Sequence, residues 1–89
     1  MDRELLLPTD FGDYAWEIEA KGVCWEVSVR VGDRLVAVTF YDPVRLAQDI
    51  AAELRGGAYP ELRRVLVVPR VTAEQMRAAI ARVPREFFA

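Results

Sequence analysis

Tyr14-Ala-Trp-Glu-Ile-Glu-Ala20, Val23-Cys-Trp-Glu-Val-Ser-Val-Arg-Val31 and Arg34-Leu-Val-Ala-Val-Thr-Phe-Tyr41 decide the fold. Each alternates apolar and polar residues with the period of two that sorts side chains onto the two faces of a β-strand. Lys21-Gly22 and Gly32-Asp33 separate them, and two-residue connections containing glycine are those that hairpins favour. The stretch therefore predicts a meander of three antiparallel strands. A turn at Lys21-Gly22 pairs Ile18 with Trp25 and Trp16 with Val27. A turn at Gly32-Asp33 pairs Trp25 with Phe40, Val27 with Val38 and Val29 with Val36. Both registers place the same middle-strand residues on one face, and a one-residue slip in either hairpin would undo the agreement. The expected inner face is Tyr14, Trp16, Ile18, Trp25, Val27, Val29, Val36, Val38 and Phe40.

Outward from this core, Asp42-Pro43 opens a helix, with Asp as N-cap and Pro at the first helical position. Val44, Leu46, Ala47, Ile50, Ala51 and Leu54 make one broad apolar stripe at helical spacing, and Gly56-Gly57 ends the element. Arg64-Val-Leu-Val-Val68 reads as a fourth strand. A helix between two strands makes a crossover, so this strand runs parallel to the third. The loop leading to it slightly favours a return beside the first strand, in the order 4-1-2-3. Thr72-Ala-Glu-Gln75 is a capping box, Val71 is placed to staple onto Met76, and Met76, Ala79, Ile80 and Val83 form the buried stripe of a second helix. Residues 1–13 read as an N-terminal docking segment and loop, with room for a brief strand at 3–7, and residues 84–89 as a C-terminal tail. The predicted order is βββαβα. It describes one α+β domain over 1–89, a mixed four-stranded sheet with two helices on one face.

Composition removes whole classes of chemistry. Eighty-nine residues, 53% of them hydrophobic, suit a single packed core. There is no His and no Asn, and Ser28 is the single serine. The commonest general base and transition-metal ligand is thus missing, and with it Ser–His and Cys–His catalysis and Cys/His zinc sites. The lone Cys24 has no partner for a disulfide, which fits a reducing compartment. No stretch approaches the roughly 18–20 apolar residues of a membrane span, and the first eight residues lack the pattern of a secretion signal. The expectation is a cytoplasmic protein. Eleven of the twelve basic residues are Arg; the chain is nevertheless net −2 and has no basic–aromatic interleaving, so no nucleic-acid partner is expected. Glycines 32, 56 and 57 match no phosphate-binding fingerprint and read as turn residues.

With both helices on one face, the other sheet face is open. On the predicted register it carries Ala15, Glu17, Glu19, Cys24, Glu26, Ser28, Arg30, Leu35, Ala37, Thr39 and Tyr41, with Glu17 directly opposite Glu26. Facing carboxylates repel, which suggests either an acidic patch for a cationic partner or a solvated face that Arg30 neutralises. Glutamates beside Cys24 would raise its pKa, so a structural thiol is expected there, not a nucleophile. The candidate interaction face is Glu17, Glu19, Glu26, Arg30, Leu35, Thr39, Tyr41 and, from the tail, Phe88. Neither catalytic nor metal-binding residues are assigned, and no cofactor is expected. The leading expectation is a non-catalytic protein-interaction or regulatory module, of the acidic inhibitor or immunity type, using the open face or an edge. The alternatives are a homodimer joined through Leu35, Ala37, Tyr41 and Phe88, and a small ligand binder or enzyme with a site around Glu17, Glu26, Thr39 and Tyr41.

Overall fold

The structure, a computed structural model, describes residues 2–89. Four strands form one mixed sheet in the order β1-β2-β3-β4: β1 (Arg3–Leu6), β2 (Val23–Val31), β3 (Arg34–Tyr41) and β4 (Val65–Val67). The first three strands are an antiparallel meander, and β4 runs parallel to β3. Three α-helices accompany them, α1 (Ala15–Lys21), α2 (Pro43–Arg55) and α3 (Ala73–Arg82). The expected α+β architecture is present, with the predicted two-residue turn at Gly32-Asp33 and Val31 paired with Arg34.

The meander's first strand is not the one predicted. Residues 15–21 are helical, and Arg3–Leu6 takes the place beside β2, pairing Leu5 with Val29. Ala15-Trp-Glu-Ile-Glu-Ala-Lys21 alternates, but it is built of strong helix formers, with Glu17 in the first turn and Lys21 in the last, where the dipole favours them. Lys21-Gly22 is therefore a helix end, not a hairpin: Gly22 adopts φ +76° as the left-handed cap, and its N–H bonds to Ile18 O. Strand β4 lies beside β3, not beside β1 as the loop length suggested. Thr39 N–H to Arg64 O and Val68 N–H to Tyr41 O carry the pairing past both ends of β4.

The core lies between one sheet face and α1 with α3. Val27, Val29, Val36, Val38 and Phe40 from the sheet meet Val71, Met76 and Ile80, with Ala15 and Ile18 of α1 packed alongside. Val71 and Met76 are fully buried, and Thr72 Oγ1 accepts the Gln75 N–H, as the capping signature predicts. The two helices on this face are α1 and α3. Helix α2, capped as expected by Asp42 Oδ1 on the Arg45 N–H at 2.7 Å, supplies no residue to the core.

The C-terminal segment is not a loose tail. Arg85–Phe88 forms a 3₁₀ turn that places Phe88 in the core at 1% exposure. Arg3 holds it there: the guanidinium lies 4.9 Å from the Phe88 ring centroid and donates to Ile80 O and Val83 O. Arg34 donates to Phe88 O at 2.8 Å and Arg64 to Ala89 O at 2.7 Å. Two of the four bases in residues 1–44 are thus spent on structure.

Candidate functional site

The open sheet face is shaped by one irregularity in β2. Cys24 pairs with Phe40 and Val27 with Val38, so Trp25 and Glu26 together stand opposite Thr39. Two residues against one is a β-bulge. Glu26 takes up the extra length with φ +51°, and its N–H donates to Thr39 Oγ1 at 3.1 Å. Beyond the bulge the alternation is inverted. Trp25, expected in the core, is instead 56% exposed, and Cys24 is half-buried against the core.

Trp25 borders a shallow hollow of about 420 Å³ on the open face, lined also by Leu6, Pro8, Glu26, Ser28 and Leu35. Leu35 is 66% exposed. Arg30 and Glu4 pair across β1 and β2 at 2.7 Å, and both remain largely in solvent, where such a pair contributes at most about 1 kcal/mol. Among the described residues, Glu26 takes part in no ion pair.

At the other side of Trp25 a polar network ties α2 to the sheet end. The Arg45 guanidinium lies 5.3 Å from the Trp25 ring centroid, and it donates to Asp49 Oδ1 at 2.9 Å and to Lys21 O at 3.1 Å. Tyr41 donates its hydroxyl to Asp49 Oδ2 at 2.8 Å. Arg45 and then Tyr41 hold the Asp49 carboxyl below the usual carboxylate range against a smaller opposing effect of burial. Burial, with Asp49 as acceptor, pushes the Tyr41 phenol up. Burial likewise pushes the Cys24 thiol up. Each shift drives its group deeper into its resting protonation state at neutral pH, away from the poise that acid–base or thiolate chemistry requires.

Of the predicted face, Glu26, Arg30, Leu35, Thr39 and Tyr41 do share the open side of the sheet. Glu17 and Glu19 do not, because their segment is helical; Glu19 lies 3.7 Å from Arg70 in an exposed pair. The facing Glu17–Glu26 carboxylates, and the ligand site that used them, dissolve for the same reason. Phe88 is unavailable to a partner because it is core. Trp25 and Leu6 are the face residues that strand alternation missed. Nothing in the sequence marks the bulge, and Arg3-Glu-Leu-Leu6, two charged residues followed by two leucines, carries no alternation. Among the described residues, no three potential metal ligands come together, and no helix is long and apolar enough to cross a membrane.

The fold and face define a small α+β domain with one sheet face covered by α1 and α3 and the other met by α2 at its Tyr41 end and open around an exposed tryptophan. Comparison with protein-family models, with curated proteins and with solved structures finds no match.

Proposed function

We propose that this domain is a non-catalytic protein-binding module whose partner seats on the open face between Trp25 and Leu35. The observation that carries the reading is the hollow itself, walled by Trp25, Leu6 and Leu35 and rimmed by the Glu26 carboxylate, which takes part in no ion pair among the described residues. An apolar pocket beside an exposed tryptophan is the kind of place where interface energy concentrates. The matching partner presents an apolar side chain next to an Arg or Lys that reaches Glu26. The shifted groups support a non-catalytic role, since Asp49 and Tyr41 are locked to each other and Cys24 is masked.

The test is native mass spectrometry of the protein purified gently from its source, with two variants. Leu35→Glu/Glu26→Arg changes two exposed side chains of the face, and Glu17→Arg changes α1 only. A protein that co-purifies with wild type and with Glu17→Arg, and is lost from the double variant, is the expected result. A bare chain, a partner retained by the double variant, or an added mass of metabolite size would each overturn the proposal.

A further inference from the structure

Strand β1 is an edge of the sheet, and its outer side is open. Gly32 N–H donates to Asp2 O, one residue before the Arg3–Val31 pair. Alternate residues of an antiparallel strand bond to the same neighbour, so Asp2, Glu4 and Leu6 turn their backbone groups toward β2. The N–H and C=O groups of Arg3 and Leu5 point the other way, where no strand pairs with them. An open edge is a template for another extended segment, and proteins commonly guard one with charges, prolines or bulges. Here neither charge guards it. Glu4 reaches across to Arg30, and Arg3 turns toward α3, where it donates to Ile80 O and Val83 O. Arg3–Leu6 contains no proline and pairs with β2 without a bulge. The opposite edge, β4, is only three residues long, with Pro69 two places beyond its end.

Beside the β1 edge lies a groove of about 300 Å³ between β1 and α3. Leu5, Ile80 and Ala81 give it apolar walls, and Arg3, Glu4 and Arg77 give it charge. The balance is positive. Glu4 is already paired with Arg30, whereas neither Arg3 nor Arg77 takes part in an ion pair among the described residues. The groove is therefore basic on a chain of net charge −2. A strand laid along β1 meets free backbone partners, apolar walls for a side chain, and an uncompensated guanidinium. Extended segments dock on sheet edges in this way, main-chain bonds supplying affinity and side-chain pockets choosing the sequence.

We infer that the β1 edge and the groove beside it take an extended acidic segment of a partner protein as a fifth strand. Residues two apart on a strand share a face, so the matching segment carries an apolar side chain and, two places away, an Asp or Glu that meets Arg77. A second copy of this chain is the poorer occupant. Pairing β1 with β1 would bring Arg3 and Arg77 of both copies to one seam, where the nearby Glu4 carboxylates are already held by Arg30. The groove shares no lining residue with the hollow at Trp25, so the two readings stand or fall independently.

Random linear peptides displayed on phage and selected against the full chain supply the probe. Enriched peptides are expected to pair an apolar residue with Asp or Glu two places away, and to bind Arg77→Glu about tenfold more weakly. Arg77 is exposed, so the variant should keep the circular dichroism of wild type. Leu35→Glu/Glu26→Arg should bind the same peptides unchanged. Strand addition carries a further signature. With peptide bound, hydrogen exchange at the Arg3 and Leu5 amides should slow, while the Glu4 amide, already turned to β2, should change little; charge attraction alone would not separate them. No enrichment, peptides indifferent to Arg77→Glu, peptides lost from Leu35→Glu/Glu26→Arg, or Arg3 and Leu5 amides exchanging as fast as in the free chain would each overturn the inference.

Discussion

Phe88→Ala tests whether the C-terminal turn is part of the core, and its effect is calculable from the structure. The ring is fully buried, meets Phe87 edge-on at 5.2 Å and lies under the Arg3 guanidinium. Truncating a buried Phe costs about 3–5 kcal/mol, through lost transfer energy and the cavity left behind. A chain of this length has a total stability of roughly 4–13 kcal/mol. The variant should therefore lose a large fraction of it and melt roughly 15–30 °C lower. Urea unfolding followed by circular dichroism reads the change as a shift of midpoint at constant slope. Phe87→Ala is the internal comparison: that side chain is only half-buried, and about 1–2 kcal/mol is expected. Combining Phe88→Ala with Arg3→Ala should be less than additive, because the two residues touch. A loss below about 1 kcal/mol for Phe88→Ala, or equal losses for the two phenylalanines, would refute the reasoning.

Four further perturbations probe the α1–β2–α2 corner and the bulge. Gly22→Ala would drive a Cβ into the Asp42 carboxylate at φ +76°, so a loss above about 1–2 kcal/mol is expected in thermal melts, non-additive with removal of the Asp42 cap. Because Arg45 and Tyr41 depress the Asp49 pKa, its contribution is fully present above the ordinary value of 3.8 and is lost as pH falls through the lower folded value. Asp49→Asn should abolish that acid step in a stability–pH profile. Tyr41 shows the converse sign: its contribution is complete below 10.0 and is lost as pH rises through its raised folded value, a step that Tyr41→Phe should remove. Burial raises the Cys24 pKa, so a thiol reagent at pH 8 should label folded protein more slowly than urea-unfolded protein, and equal rates would place Cys24 in solvent.

Much of the fold was legible from side-chain period and capping chemistry. The β2–β3 hairpin, the Asp42-Pro43 and Thr72–Gln75 helix starts and the parallel crossover all rest on local rules that tertiary packing then satisfied. The misreading of the meander's first strand comes from the ambiguity of short segments. Residues 14–20 alternate like a strand, yet their Ala and Glu residues favour a helix, and Lys21-Gly22 serves equally as a hairpin turn or as a helix C-cap. The competition was settled outside the segment, by Arg3–Leu6, whose Leu5 fills the position beside Val29 while Arg3 reaches across to Phe88.

The bulge shows why the site was harder to read than the fold. Strand alternation propagates a single phase, so one extra residue at Trp25-Glu26 reverses every assignment on its far side. With a regular ladder Trp25 would stand in the core opposite Phe40; with the bulge Cys24 takes that place and the indole turns out to meet Arg45. The same displacement borders the hollow with Trp25 and sets the indole beside Arg45 of α2. The proposed binding face thus follows from one irregularity in β2. Deleting Glu26 would leave Trp25 alone opposite Thr39, with Cys24 still on Phe40 and Val27 on Val38, so the indole should keep its outward side while the hollow loses its acidic rim.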